Sequence, residues 1–101
     1  MNLGIFIVSE LEVNYIKSLI PKTFKILHIK EKQPDTLYDY VDSFRVELIG
    51  SQKSFEELKT DTNFQSLINI INYFCDNELE HKKIRREVFK CIDLINKIIK
   101  Q

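Results

Sequence analysis

The fold turns on residues 3–29, LGIFIVSELEVNYIKSLIPKTFKILHI. Leu3-Gly4-Ile5-Phe6-Ile7-Val8 is a continuous apolar run rich in β-branched side chains, which reads as a strand buried on both faces. Ser9 followed by Glu12 has the spacing of a capping box. The helix it would open carries Leu11, Tyr15, Ile16, Leu19 and Ile20 on one side and stops at Pro21. Phe24-Lys25-Ile26-Leu27-His28-Ile29 then reads as a second strand. Strand, helix and strand in this order predict a parallel βαβ unit.

Downstream, residues 30–34 form a polar turn. Asp35 is positioned to cap a short helix with Leu37, Val41 and Phe44 facing inwards. Phe44-Arg45-Val46-Glu47-Leu48-Ile49 alternates apolar and polar, the signature of a half-exposed edge strand, and Gly50 ends it. From Ser51 to Gln101 there is neither glycine nor proline. Ser54 with Glu57, Thr62 with Gln65 and Asn77 with Glu80 mark three helix starts. The second helix carries Phe64, Leu67, Ile68, Ile71, Phe74 and Cys75 at helical spacing, and the third Ile84, Val88, Cys91, Ile92, Ile95, Ile98 and Ile99. Phe89 and Leu94 widen the apolar arc of that last helix and point to its burial. The expectation is one α/β domain over residues 1–101: a small three-stranded, mainly parallel sheet in β-α-β-α-β order, layered with helices and ending in a C-terminal helical hairpin. That layout has a general likeness to small inhibitor folds with a short parallel sheet, by analogy alone.

A chain of 101 residues with 44% hydrophobic content is long enough for one core. Residues 1–8 lack the basic start and the length of a secretory signal, and no run approaches a membrane span, so the expected location is the cytoplasm. Cys75 and Cys91 fall in apolar helical patterns and read as buried thiols of a reducing compartment.

Charge is the most useful functional signal. The net charge is zero, but residues 81–101 hold seven cations (Lys82, Lys83, Arg85, Arg86, Lys90, Lys97, Lys100) against Glu87 and Asp93. The other 80 residues are correspondingly acidic. Asp35-Thr36-Leu37-Tyr38-Asp39-Tyr40-Val41-Asp42 packs three carboxylates and two tyrosines into eight residues. Tyrosine offers contact area at low entropy cost, and aspartate offers complementarity to a basic partner. Asp35, Tyr38, Asp39, Tyr40 and Asp42 are therefore the candidate partner-binding residues. The expected function is inhibition of another protein with a basic surface, of the bacterial toxin-immunity kind, a nuclease toxin being the natural target.

The alternative is a regulatory nucleic-acid-binding module whose helix 81–90 holds phosphate through Lys82, Lys83, Arg85 and Arg86. A third reading places a small-ligand or enzymatic site at the strand ends, near Ser9, Glu10 and Glu12. No glycine lies there to let a backbone approach a phosphate. His28 reads as a core or edge histidine, and His81 has no zinc-spaced partner. No catalytic residue, metal ligand or cofactor is expected.

Overall fold

The computed structural model describes the backbone of residues 3–100 and the side chains of residues 12–100. Among the described residues there is no strand. The chain forms α1 (Leu3–Lys32), a 3-10 turn (Pro34–Thr36), α2 (Leu37–Ser54), α3 (Glu56–Lys59), α4 (Thr62–Asp76) and α5 (His81–Ile99). The expected three-stranded sheet is therefore wrong, and with it the α/β class: the fold is all-helical.

All three expected strands fall within helices, and burial shows why. In a strand, Phe24, Ile26 and His28 would share one face. Here Ile26 is buried while Phe24 and His28 are exposed, and the inward set is Ile16, Leu19, Thr23, Ile26 and Ile29, the spacing of a helix. Residues 44–49 behave alike. Phe44 and Leu48 are buried, whereas Val46 between them is 58% exposed. The side chains of Leu3–Val8 and the Ser9 cap lie outside the described residues, but their backbone belongs to α1.

Pro21 does not stop α1. It lacks the N–H that would bond the Lys17 carbonyl, a loss that costs roughly 3 kcal/mol in a helix interior. Pro21 faces solvent, and the turns on either side bury Ile16, Leu19 and Ile26. Each such side chain contributes about 1.5–3 kcal/mol on burial, so packing outweighs the missing bond. Buried Thr23 satisfies its hydroxyl by donating to the Leu19 carbonyl at 2.7 Å.

Helices α1, α2, α4 and α5 form the body, each packed on two of the others: α1 on α2 and α5, α4 on α2 and α5. Neighbours run antiparallel. Along α1 and α2, Tyr15 meets Ser51, Lys22 meets Glu47, and Tyr40 reaches the Lys22 carbonyl. Gln52 bonds Gln65 across α2 and α4, and Lys83 bonds Tyr73 across α4 and α5. Phe24 meets Phe89 across α1 and α5. The result is an up-down-up-down bundle measuring 50 × 21 × 19 Å. Its long axis follows α1, whose 30 residues rise about 45 Å. The core joins Ile16, Leu19 and Ile26 to Val41, Phe44 and Leu48, then to Phe64, Leu67 and Ile71 and to Ile84, Val88, Cys91 and Ile95.

The C-terminal hairpin expected from the sequence is present, with shifted joints. Asp61, not Thr62, caps α4 by accepting from the Phe64 amide at 2.9 Å. The connector spans residues 77–80, and α5 starts at His81 rather than at Asn77. Asn77 instead donates its side-chain amide to the Tyr73 carbonyl, covering the end of α4. Leu94 is half-buried, but Phe89 is exposed, so the last helix is not buried across its whole arc.

Candidate functional site

Antiparallel packing brings the end of α1, the start of α2, the end of α4 and the start of α5 to the same end of the bundle. Between them lies a cleft of about 390 Å³. Ile26, Leu37, Val41, Phe74, Leu79 and Ile84 give it apolar walls. Asp35, Asp76 and Glu78 bring carboxylates to it, and Lys30 is the one cation on its lining.

Two local devices shape this end. The Gln33 amide donates to the Ile29 carbonyl at 2.8 Å as α1 closes. Pro34 then opens the 3-10 turn, where the Thr36 amide and hydroxyl both donate to the Gln33 carbonyl, at 3.0 and 2.9 Å. The chain reverses within four residues and sets Asp35 and Tyr38 beside the cleft. On the other wall, Asn77 is extended and the Glu80 carbonyl accepts from the Lys83 and Ile84 amides at 3.0 Å. That turn holds Asn77, Glu78 and Leu79 against the opening.

The five candidate partner-binding residues do not act together. Asp35 and Tyr38 line the cleft, with Tyr38 59% exposed. Asp39 is exposed but outside the lining. Tyr40 is turned back into the bundle: its hydroxyl donates to the Lys22 carbonyl at 2.7 Å, and Lys25 sits 5.3 Å from its ring centroid. Asp42 accepts both the Nε and Nη2 donors of Arg45 on its own helix. Two of the five are thus available at the cleft, while Tyr40 is engaged with α1 and Asp42 with Arg45 on its own helix.

The basic candidates also divide. Lys83 leans across to α4, its ammonium donating to the Tyr73 hydroxyl at 3.1 Å. Lys82, Arg85 and Arg86 are exposed on the outer face of α5. Arg86 lies 3.9 Å from Glu87, and the Arg85 guanidinium lies 5.8 Å from the Phe89 ring centroid.

Cys75 lines the cleft and Cys91 lies in the core, both as free thiols. Burial pushes the Cys75 thiol up, although Arg45 pulls against it. Burial also raises Cys91, with a smaller push from Glu87, to about 12. Both are therefore protonated at neutral pH and poor nucleophiles. The expectation that both are buried holds for Cys91, while Cys75 is half-exposed. His28 faces solvent on α1, so it is neither a core nor a sheet-edge histidine. The third reading loses its location, since there is no strand end among the described residues; the side chains of Ser9 and Glu10 lie outside the described residues. No three His, Cys, Asp or Glu side chains gather into a metal site among the described residues. None of the described helices is long and apolar enough to cross a membrane.

Two polar features stand apart from the cleft: one that no local pattern in the sequence signals, and one that buries a residue already named beside Ser9. One is the α1–α2 seam, where Lys22 holds both carboxylate oxygens of Glu47 at 3.1 and 2.9 Å while Tyr15 and Ser51 bond beside them. Tyr15 and Lys22 are seven residues apart, a helical repeat that becomes visible once Pro21 is read through. The other is Glu12, buried at 7% exposure, whose Oε1 has no hydrogen-bond partner among the described residues. Burial first, and then the hydrogen bond and charge of Glu57, raise its pKa to about 7.

Compared with known proteins, the chain matches no family model, no curated protein and no solved structure.

Proposed function

We propose that this chain is a protein-binding module whose end cleft takes up a segment of another protein, one that presents an apolar side chain flanked by lysine or arginine. One observation carries this reading: an apolar cleft of about 390 Å³ whose lining includes Asp35, Asp76 and Glu78, with Tyr38 59% exposed beside them. That volume suits one or two side chains, and carboxylates at its edge favour a cationic partner. Exposed tyrosine beside an apolar pocket is a frequent anchor of protein interfaces. The partner class that fits is a protein with a basic surface, such as a nuclease toxin, which the module would inhibit by occupying that surface. In this reading the chain binds without catalysing, needs no cofactor, and works in the cytoplasm, where its two thiols stay reduced.

The test begins with tagged chain purified from its native host and identification of what it retains. Titration calorimetry against that protein follows, with Asp35→Lys, Tyr38→Ala, Asp39→Lys and Arg85→Glu. Asp35→Lys and Tyr38→Ala weaken the complex at least about tenfold, as expected for contacts near an interface centre. Asp39→Lys, outside the cleft, has a smaller effect, and Arg85→Glu on α5 has none. Wild-type affinity in both cleft variants would overturn the reading.

A further inference from the structure

The outer face shared by α1 and α5 is separate from the cleft and differs in chemistry. Phe24 and Phe89 are 39% and 47% exposed, and their rings meet edge to face at 5.8 Å. On α5, Lys82, Arg85 and Phe89 follow one another at helical spacing, with Arg86 beside them, and all four are exposed. On α1, Lys17, Phe24 and His28 do the same. Contact between the two phenylalanines sets these stripes side by side. Most other cations of α5 are engaged with acids: Lys90 with Glu87 at 3.1 Å and Lys97 with Asp93 at 3.2 Å. Lys82 and Arg85 have no carboxylate within 4.0 Å among the described residues. Among the described side chains of the α1 stripe, Glu31, near Lys32, is the one acid.

We propose that this face binds single-stranded nucleic acid, with bases stacking on Phe24 and Phe89 and phosphates held by Lys82, Arg85, Arg86 and Lys17. Charge alone would fit any polyanion. The two half-exposed rings narrow the choice, because an unpaired strand offers both phosphates and open base faces, whereas a duplex keeps its bases stacked on each other. Arg85 already lies near the Phe89 ring, so a base entering there meets an aromatic surface and a guanidinium together. Nothing in this inference depends on the cleft or on its protein partner.

The experiment is fluorescence anisotropy of the full chain with labelled oligothymidylate and oligouridylate of about 20 nucleotides, and with a duplex of equal length. Each is titrated at about 50 and 200 mM salt. Single strands bind, the duplex binds more weakly, and affinity falls as salt rises. Phe89→Ala weakens single-strand binding roughly 5- to 150-fold, the range expected from losing one stacking platform. Arg85→Glu weakens it too and lowers the salt slope by about 0.7, the share of one phosphate contact on a single strand. Lys59→Glu removes an exposed cation from α3 and serves as the charge-matched control, with binding retained within about twofold. Circular dichroism confirms that each variant is folded. The proposal is overturned by no binding at the lower salt, by a duplex preferred over the single strands, by wild-type affinity in folded Phe89→Ala, or by equal losses in Arg85→Glu and Lys59→Glu.

Discussion

The Tyr15 hydroxyl donates to Glu47 Oε2 at 3.0 Å, joining residues 32 positions apart in the chain. That bond, with the Lys22–Glu47 ion pair beside it, fixes the register of α2 against α1. The register in turn sets Tyr40 under Lys25 and places Asp35 and Tyr38 at the cleft. A polar seam outside the cleft lining thus helps to position it.

Tyr15→Phe removes the hydroxyl and keeps the ring, which stacks on Phe55 at 5.5 Å. The loss is about 0.5–1.5 kcal/mol in urea unfolding at neutral pH, the net value of a typical hydrogen bond. The same variant changes the alkaline limb. Burial is the main reason that the Tyr15 pKa is pushed up to about 12 from 10.0. The folded state therefore holds this proton more tightly than the unfolded state. Its contribution is full below pH 10 and is lost as pH rises towards 12. Wild type loses stability more steeply than Tyr15→Phe across that window, and parallel curves would show that Tyr15 is not buried.

Glu12 titrates at lower pH. Its pKa is raised from 4.5 to about 7, chiefly by burial and then by Glu57. Between these values the folded state binds a proton that the unfolded state releases. Stability from this group therefore falls as pH rises from 4.5 through 7. Glu12→Gln keeps the shape and cannot ionise. At pH 8 it is more stable than wild type by roughly 1–3 kcal/mol, and at pH 4 the difference nearly vanishes. Chemical denaturation of both proteins at the two pH values checks this, and a destabilised Glu12→Gln at pH 8 would contradict it.

Gly50 distinguishes a helix from a strand end directly. It lies inside α2 with no positive φ, and a Cβ built there meets nothing within 4 Å. Gly50→Ala should therefore stabilise the protein by about 0.5–1 kcal/mol through backbone entropy. A lowered thermal midpoint would mean that residue 50 sits in a turn that requires glycine.

Helices α4 and α5 were legible in the sequence because each has one narrow buried stripe: Phe64, Leu67, Ile68 and Ile71, then Ile84, Val88, Cys91 and Ile95. A stripe of that kind has a single period, and no strand reproduces it. Residues 24–29 misled because α1 touches two neighbours. Leu27 packs beside Ile26, and Phe24 reaches over to α5, so the apolar arc broadens into an unbroken run. Pro21 adds the pattern of a helix stop, although a proline on the solvent side costs less than the packing around it supplies. Residues 44–49 misled because Arg45 and Glu47 alternate with apolar positions, and only the exposure of Val46 exposes the period as helical. Half of the cleft was visible as Asp35 and Tyr38. Its other wall, Phe74 to Leu79, comes from 40 residues away in sequence and depends on how the helices return, which no local pattern records.

Backbone and side-chain NMR of residues 12–32 decides whether α1 is one helix on which the cleft is built. Helical Cα shifts should run through Pro21 without a break as far as Ile29. Contacts between the Phe24 and Phe89 rings, and between Tyr15 and Phe55, should accompany them. Extended shifts over residues 24–29, with cross-strand contacts to residues 3–8, would contradict the bundle and the cleft together.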